Sequence, residues 1–215
     1  MSARENKSPT TQASSTKVQI LENAVPLFAE KGYRDATCAE ISKQAKANIA
    51  AINYHFGSKE NLYRLSLRRA FELADAAYPF HGGLEENAPA KEKLRACMEA
   101  LIRRNYDLGP AGHLNRMINH QVSRPTAPHN MVMQEITQLQ GNYLFNTIQQ
   151  ITGPLPEPLM QSAKMNTIAL CIFPSLAPAM QKFLFPASPS PKEIDEIINR
   201  QFHFVLAGLK TLKVG

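Results

Sequence analysis

The sequence predicts an all-α protein with a small N-terminal helical domain and a larger helical C-terminal one. Apolar residues recur at three- and four-residue steps along most of the 215 residues, which is the period of helices that bury one face. No run alternates apolar and polar residues for long enough to form a sheet, and Pro and Gly clusters divide the chain into segments of helix length. These patterns favour helices packed on helices around a core.

Residues 1–15 precede the first periodic segment and are predicted to form a disordered arm. They are rich in Ser, Thr, Lys and Pro, and they show no apolar period. Two interpretations stay open: the arm has no partner, or Arg4 and Lys7 reach the backbone or a groove of a nucleic acid.

The first helix is predicted from residue 16 to about residue 31. Thr16 suits the N-cap position, and Gly32 suits the position just after the last turn, where a positive φ is common. Pro26 lies inside the helical pattern and removes one backbone donor, so a kink is expected there. The apolar positions that define the helix are Val18, Leu21, Ala24, Val25 and Phe28.

Three further helical segments complete the N-terminal domain. The segment 37–44 begins at Thr37, and Glu40 stands at the spacing of a capping box. A segment at 48–54 follows, and a third begins after the cap residue Ser58. The predicted domains are therefore the arm (1–15), a helix-turn-helix domain (16–62) and a C-terminal domain (63–215).

Longer helical segments occupy the rest of the chain. We predict them at about 89–107, 112–123, 127–152, 156–184 and 191–213. The last two carry a broad apolar face, which favours burial against a second copy of the chain in a four-helix arrangement. The alternative is that this face belongs to the core of a single chain.

Segments 37–44 and 48–54 have the lengths and the tight connection of a helix-turn-helix, in which the second helix enters the major groove of DNA. Ile49, Ile52 and Phe56 form a predicted inner stripe at i, i+3 and i+7. The amide and methyl side chains of the other face suit base edges, because Asn offers a donor and an acceptor and Ala matches the thymine methyl. Hydroxyl, imidazole and ammonium groups near the helix ends suit phosphate oxygens.

These residues resemble the DNA-binding domain of the TetR family of bacterial transcriptional regulators. The resemblance covers residues 16–63 and is carried by ILENA and LFAEKGY in the first helix, by Thr37 and Ile41, and by INYHFGSKENLY at 52–63. Within the family, residues 48–56 resemble an AcrR-like subgroup whose members carry a C-terminal domain named after the CecR or CerR regulators.

The resemblance implies a homodimer that represses promoters from a palindromic operator and is released when a small molecule binds the C-terminal domain. The DNA contacts that it implies are Thr37, Lys46, Asn48, Ala50, Ala51, Asn53, Tyr54, His55 and Lys59. Structural alternatives stay open for several: Thr37 as a cap only, Tyr54 as a packing residue, and His55 and Lys59 as solvated residues without a role. The alternative functions are an effector-independent or architectural DNA-binding protein and an activator.

A small-molecule site is predicted among the middle helices, where methionines and polar side chains alternate. Its candidate residues are Met98, Arg103, Tyr106, His113, Arg116, Met117 and His120. Each Arg and His in this set has the alternative of a surface or paired residue. His113 and His120 lie two turns apart without a carboxylate or Cys at helical spacing, which argues against a metal site.

Missing patterns exclude other classes of protein. The chain has no G-x-S-x-G, HExxH, Gly-rich phosphate loop or D-x-D-x-D-G loop, so neither an enzyme nor a cofactor is expected. Cys97 and Cys171 lie in apolar helical patterns and are predicted core residues. Three cysteines, with no secretory signal and no membrane-spanning run, predict a cytoplasmic protein. The excess of 24 Lys and Arg over 18 Asp and Glu is compatible with a nucleic-acid partner.

Overall fold

The computed structural model describes residues 9–126, 128–176 and 189–212, and within these ranges it contains ten α-helices and one short 3₁₀ helix. The α-helices are α1 (Pro9–Asp35), α2 (Cys38–Gln44), α3 (Ile49–Phe56), α4 (Lys59–Ala77), α5 (Ala90–Tyr106), α6 (His113–Ser123), α7 (His129–Gln140), α8 (Tyr143–Thr152), α9 (Glu157–Leu176) and α10 (Pro191–Thr211). The 3₁₀ helix, Pro110–Gly112, leads directly into α6. No residue of the described ranges lies in a strand, so the predicted all-α class is confirmed.

Helix α1 begins earlier than predicted. It starts at Pro9, so residues 9–15 are helical rather than part of a disordered arm, and Thr16 lies inside the helix rather than at its N-cap. Proline at the first helical position lacks only a donor that would be unpaired there, and residues 10–15 contain no further helix breaker. The rest of the predicted arm, residues 1–8, lies outside the described residues.

The break in α1 falls at Gly32 and not at Pro26. Gly32 has φ +75° and ψ 176°, a conformation that suits Gly, and the helical backbone resumes after it as far as Asp35. The backbone at Pro26 keeps helical torsion angles. Pro26 lies on the exposed side of α1, where water can bind the carbonyl that lacks its usual donor.

The predicted helix 127–152 is two helices, α7 and α8. Gly141 adopts φ +56° directly after α7, which ends that helix before α8 begins. The predicted helices 89–107, 112–123 and 191–213 agree with α5, α6 and α10 to within two residues. Residues 177–184 of the predicted helix 156–184, and residue 213, lie outside the described residues.

One hydrophobic core joins the N-terminal helices to the middle of the chain. Side chains of α1–α4 pack with Leu114 and Met117 of α6 and with apolar residues of α7. Helix α4 is continuous across the predicted domain boundary, and Leu62 and Tyr63 on either side of that boundary are both buried in this first core. The boundary predicted between residues 62 and 63 therefore cuts through one helix and one core.

A second hydrophobic core lies between α5, α8, α9 and α10. It contains Cys97 and Cys171, as predicted. Burial raises the pKa of the Cys97 thiol to about 12 and also raises the pKa of Cys171 above its ordinary value. Because a thiol that stays protonated at neutral pH is a poor nucleophile, both cysteines act as packing residues.

Candidate nucleic-acid interface

Helix α2 begins with a complete capping box. The Thr37 hydroxyl accepts a hydrogen bond from the Glu40 backbone N–H at 3.1 Å, and the Glu40 carboxylate accepts from the backbone N–H and the hydroxyl of Thr37 at 3.1 and 3.0 Å. Lys31 of α1 donates to the other oxygen of that carboxylate at 2.6 Å. The hydrogen bond from Lys31 is the main reason why the pKa of Glu40 falls to about 2. The Thr37 hydroxyl is thus already engaged in the cap.

The turn between α2 and α3 is tight. Lys46 has φ +50°, in the left-handed region that residues other than Gly rarely occupy, and the Ala47 N–H donates to the Ser42 carbonyl at 2.9 Å. Asn48 then caps α3, because its Oδ1 accepts a hydrogen bond from the Ala50 N–H at 2.9 Å. Residues 37–56 therefore form the predicted helix-turn-helix.

Helix α3 has one buried face and one exposed face. Ile52 and Phe56 are buried in the first core, as predicted. Ala50, Asn53 and Tyr54 are exposed, and 81% of Tyr54 is accessible, so the phenol is not part of the core. The exposed face thus presents a methyl group, an amide and a phenol to solvent.

Two assignments on α3 are wrong. Ile49, predicted to pack inward, is 50% exposed, because it is the first residue of α3 and lies beyond the edge of the core. Ala51, predicted to face outward, is half-buried and packs against the first core. Ile49 is therefore an exposed apolar group beside the candidate contacts that sequence reasoning missed. A helical period identifies a face but does not say where along the helix the core ends.

Lys59 and His55 are both held by neighbouring groups. Lys59 Nζ lies 3.3 Å from the Arg34 carbonyl oxygen and 4.7 Å from the centre of the Tyr33 ring, and burial is the main cause that lowers its pKa. The half-buried His55 ring lies 4.9 Å, centre to centre, from the ring of Tyr54. Both side chains therefore have neighbours within the protein, and contact of either with DNA stays a prediction.

The exposed candidates lie together at the turn and on the outer side of α3. They are Lys46, Asn48, Ala50, Asn53 and Tyr54. Thr37 and Lys59 lie at the starts of α2 and α4, where backbone N–H groups and the positive ends of the helix dipoles favour phosphate oxygens. This arrangement suits a DNA duplex with α3 in its major groove and its backbone against the two helix starts.

The residues predicted for a small-molecule site do not form one pocket. Met98 is buried and Tyr106 half-buried in the second core, whereas Met117 is buried in the first. Arg103 lies at the surface of α5, where its guanidinium pairs with Asp195 of α10 at 2.5 Å. The sequence pattern marks apolar faces on α5 and α6, but it does not indicate which core each face enters.

The other three candidates lie on α6. His113 Nδ1 lies 2.7 Å from the Arg116 guanidinium, which also donates to carbonyl oxygens of the loop between α5 and α6, including that of Asp107 at 2.8 Å. Burial is the main cause that lowers the pKa of Arg116 and of His113. His120 contacts α1 instead, with Nε2 3.1 Å from the Glu30 carbonyl oxygen.

Two open clefts border some of these candidates. The first, of about 940 Å³, lies between the end of α1 and the second half of α6, and Arg116 and His120 line it. The second, of about 570 Å³, lies between the end of α4 and α5, and Arg103 lines it. Met98 and Tyr106 border neither cleft.

A buried guanidinium that sequence reasoning missed links α4 to α5. Arg104 is 1% exposed, and its Nη2 lies 3.0 Å from Asp75 Oδ1 and 2.6 Å from the Tyr78 carbonyl oxygen. Its guanidinium carbon lies 4.2 Å from the centre of the Phe80 ring. Arg103 and Arg104 are adjacent, and nothing in the sequence indicates which of the two is buried.

Neither a membrane-spanning helix nor a group of metal ligands is found among the residues that the structure describes. No helix there is both long and apolar enough to cross a bilayer. No three His, Cys, Asp or Glu side chains of those residues come together as a set of metal ligands.

Comparison with known proteins supports the interpretation of this interface. Residues 20–65 match the family described as bacterial regulatory proteins, tetR family. The chain is 27% identical over 158 residues to the "Probable HTH-type transcriptional regulator YttP" of Bacillus subtilis, covering 68% of this chain and 73% of that protein. It is 28% identical, over 69% of this chain and 70% of the relative, to the "HTH-type transcriptional dual regulator CecR" of Shigella flexneri.

A shorter match and two solved structures agree with this. Over 55 residues, 26% of this chain and 30% of the relative, the chain is 42% identical to the negative transcriptional regulator IcaR of Staphylococcus epidermidis. A tetR family regulator from Shewanella sp. PV-4 superposes with a TM-score of 0.66 at 17% identity, covering 90% of this chain and 97% of that one. AibR, in a complex with isovaleryl coenzyme A and operator DNA, gives a TM-score of 0.63 at 16% identity, covering 88% and 97%.

The similarity is concentrated where the geometry points to DNA. The matched residues 20–65 contain α2, α3 and the turn between them. The relatives are named as transcriptional regulators, which confirms the prediction of a regulator rather than an enzyme. Residues 20–65 therefore form a DNA-binding helix-turn-helix domain of the tetR family, and over 68–69% of its length the chain is similar to transcriptional regulators.

Proposed function

We propose that the protein is a homodimeric, cytoplasmic repressor that binds a palindromic operator through two copies of α3 and is released by a small-molecule effector. The observation that carries the proposal is the exposed face of α3, where Asn53 and Tyr54 point to solvent while Ile52 and Phe56 anchor the helix in the core. A rigid helix with an exposed amide and phenol can enter a major groove and bind base edges there.

The contacts divide into two kinds. The amide of Asn53 and the methyl groups of Ala50 and Ile49 are suited to base edges, so they determine which sequence is bound. Tyr54 and Lys59 are suited to phosphate oxygens, which contribute affinity on any sequence. His55, Lys46, Asn48 and Thr37 stay predicted contacts, with the Asn48 and Thr37 side chains also serving as helix caps.

The dimer is supported by exposed apolar side chains on the last two described helices. Phe204 of α10 is 70% exposed, and Met165 and Phe173 of α9 are 66% and 50% exposed. Ala207 and Gly208 are exposed beside Phe204, and a Cβ added at Gly208 would meet no atom within 4 Å. Small residues of this kind let a second helix approach closely, so burial against a partner copy would remove this surface from water.

Effector release follows from the spacing that two half-sites impose. A dimer with two-fold symmetry places its recognition helices one DNA turn apart, about 34–36 Å. A small molecule that binds better to a conformer with another separation lowers the population that fits the operator. The structure of AibR with isovaleryl coenzyme A and operator DNA is a precedent in the same fold for ligand and operator acting on one protein.

The first experiment tests DNA binding. Genomic fragments retained by the purified full chain are sequenced, and operator affinity is measured for wild type, Asn53→Ala and Tyr54→Phe, with Asn146→Ala on exposed α8 as control. We expect Asn53→Ala to reduce discrimination between bases, Tyr54→Phe to weaken all sequences alike, and the control to bind as wild type does. Failure of the wild type to retain any fragment would refute the proposal.

The second experiment tests the dimer. Phe204→Glu places a charge in the proposed interface, so sedimentation should give a monomer, whereas Met133→Glu, at a 42% exposed position on α7, should leave a dimer. A monomeric wild type, or a dimer that survives Phe204→Glu unchanged, would contradict this part of the proposal.

The third experiment tests the effector. A thermal-shift screen of hydrophobic small molecules should yield ligands that raise the melting temperature and release the operator. At 100 times its dissociation constant, a ligand adds about 2.7 kcal/mol to stability. A screen in which stabilising ligands leave operator affinity unchanged favours the effector-independent alternative.

A second candidate function is a regulator that also activates. The similarity to CecR, named a dual regulator, extends over 69% of this chain, whereas the similarity to the negative regulator IcaR covers 26%. Transcription from promoters next to the retained fragments, measured with and without the gene, separates repression from activation.

A further inference from the structure

The end of α1 and the second half of α6 meet in a close contact between Gly32 and His120. Gly32 has φ +75°, and a Cβ built on it would lie 3.0 Å from Cγ and 3.2 Å from Nδ1 of His120. Ordinary carbon contacts are longer than this, so a side chain at residue 32 would displace the ring. The imidazole therefore packs directly on the glycine backbone.

The same imidazole bonds the same helix end. His120 Nε2 lies 3.1 Å from the carbonyl oxygen of Glu30, so the ring donates this hydrogen bond when Nε2 carries a proton. Glu30 lies in the last turn before the break at Gly32, where helix carbonyls begin to lose their intrahelical partners. One side chain of α6 thus both packs on and bonds the last turn of α1.

From this point a short series of contacts leads to the helix-turn-helix. Lys31, next to Gly32, donates to Glu40 of α2 at 2.6 Å. On the other side, the Arg34 carbonyl accepts from Lys59 at 3.3 Å, at the start of α4. Because α2 and α4 flank α3, the segment 31–34 lies one contact away from both supports of the recognition helix.

The surroundings of this contact differ on its two sides. Toward the interior, Leu114 and Met117 of α6 are buried in the first core with side chains of α1. Toward solvent, the open cleft of about 940 Å³ adjoins His120 and residues 29–35. The buried contacts between α1 and α6 can act as a pivot about which the two helices rotate relative to each other. His120 lies at the solvent side of this contact, where such a rotation produces the larger displacement, and it therefore restrains the rotation.

We propose that His120 is a positioning residue for DNA binding, which sets the orientation of the helix-turn-helix relative to the C-terminal helices through Gly32 and Glu30. This deepens the proposed function and rests on it. His120 touches no DNA in this arrangement: it narrows the range of orientations of α3, so that less freedom is lost when both half-sites are bound. It also gives α6 a direct mechanical connection to the last turn of α1.

The first test measures orientation without DNA. Spin labels at Gln44→Cys on α2 and Gln149→Cys on α8 report the distance between the helix-turn-helix and the second core, in a Cys38→Ser background because Cys38 is only partly buried. Labelled chain is diluted into unlabelled chain so that distances within one chain dominate. His120→Ala should broaden the distance distribution, His120→Gln should narrow it again by restoring a donor, and the solvent-facing Val122→Ala should match wild type.

The second test measures DNA binding by the same variants on the retained genomic fragments. His120→Ala should weaken binding about fivefold, which corresponds to about 1 kcal/mol, while the slope of log affinity against log salt stays as in wild type because the phosphate contacts are unchanged. A residue with a purely structural role would lower the melting temperature of the variant without changing the width of the distance distribution.

The outcomes separate the two proposals. If wild type binds no DNA, the proposed function fails, and the distance measurement still decides the role of His120. If wild type binds DNA and His120→Ala has the wild-type distance distribution and affinity, the positioning role is refuted. If His120→Ala does not fold, the His120→Gln variant decides. A wild-type distance distribution with wild-type operator affinity supports the hydrogen bond as the restraint. A broadened distance distribution with unchanged operator affinity overturns the proposal.

Discussion

Replacing Arg104 by alanine should destabilise the fold far more than neutralising its partner Asp75. The two residues share one hydrogen bond, at 3.0 Å, but their surroundings differ: the Arg104 side chain is 1% exposed and the Asp75 side chain 38%. The guanidinium also donates to the Tyr78 carbonyl at 2.6 Å and stacks on Phe80 at 4.2 Å. These contacts join the end of α4 to the last turn of α5.

The expected losses follow from these contacts. Arg104→Ala removes hydrogen bonds to two acceptors, at about 1 kcal/mol each, a cation–π contact of about 1 kcal/mol, and a buried aliphatic stem, so we expect about 3–4 kcal/mol. Asp75→Asn keeps an acceptor for Arg104 and removes only a carboxylate charge that is partly open to solvent, so we expect about 1 kcal/mol. Arg95→Ala, on the more exposed side of the same helix, is a matched control with an expected loss below about 1 kcal/mol.

Urea unfolding followed by far-UV circular dichroism, at one fixed protein concentration, measures these losses. With a slope of about 2 kcal/mol per molar urea, the midpoint should fall by about 1.5–2 M for Arg104→Ala and by about 0.5 M for Asp75→Asn. The reasoning is refuted if Asp75→Asn costs as much as Arg104→Ala, or if Arg104→Ala unfolds within about 0.5 kcal/mol of wild type.

Three further predictions concern the DNA-binding helices and the loop before α6. The folded state lowers the pKa of Glu40 to about 2 from its ordinary 4.5. The stability that the ionised carboxylate contributes should therefore be complete above pH 4.5 and lost as the pH falls toward 2. The difference in urea midpoint between wild type and Glu40→Gln should shrink over that range. Gly112→Ala should unfold the loop before α6, seen as a large loss of melting temperature, because its Cβ would lie 1.9 Å from the Asp107 carbonyl oxygen. Ile49→Ala should change base preference at one operator position by about 1 kcal/mol in a binding-site selection, and unchanged preference would exclude Ile49 from base contact.

The parts of the fold that depend on local chemistry could be predicted from the sequence. Thr37 and Glu40 stand three residues apart and form the capping box with each other, so the start of α2 needs no information from elsewhere in the chain. Asn48 and Ser58 cap α3 and α4 in the same local way. The sequence places the start of α1 too late because Thr16 resembles a cap, while the polar residues before it are equally able to continue a helix.

The parts that depend on contacts between distant residues could not be predicted. Met98 and Met117 lie in similar helical patterns, yet they enter different cores, because the packing partners of α5 and α6 differ. Arg104 is buried by Phe80 and Asp75, which lie 24 and 29 residues before it, and a single sequence does not indicate such a meeting. The exposure of Ile49 also depends on distant contacts, because the core that buries Ile52 ends before it reaches Ile49, one turn away.

The core shared by α1–α4, α6 and α7 has a consequence for anyone who builds hybrid regulators. A helix-turn-helix cut from this chain after α4 would leave Leu114 and Met117 without their partners and uncover apolar surface on both fragments. A chimera that takes its operator preference from one relative and its ligand response from another must carry the apolar positions of α6 and α7 along with the transplanted segment. Exchanging the outer residues of α3 alone leaves that core intact, so under the proposed contacts it is the better way to redirect the protein to a new sequence; these residues are Ile49, Ala50, Asn53 and Tyr54.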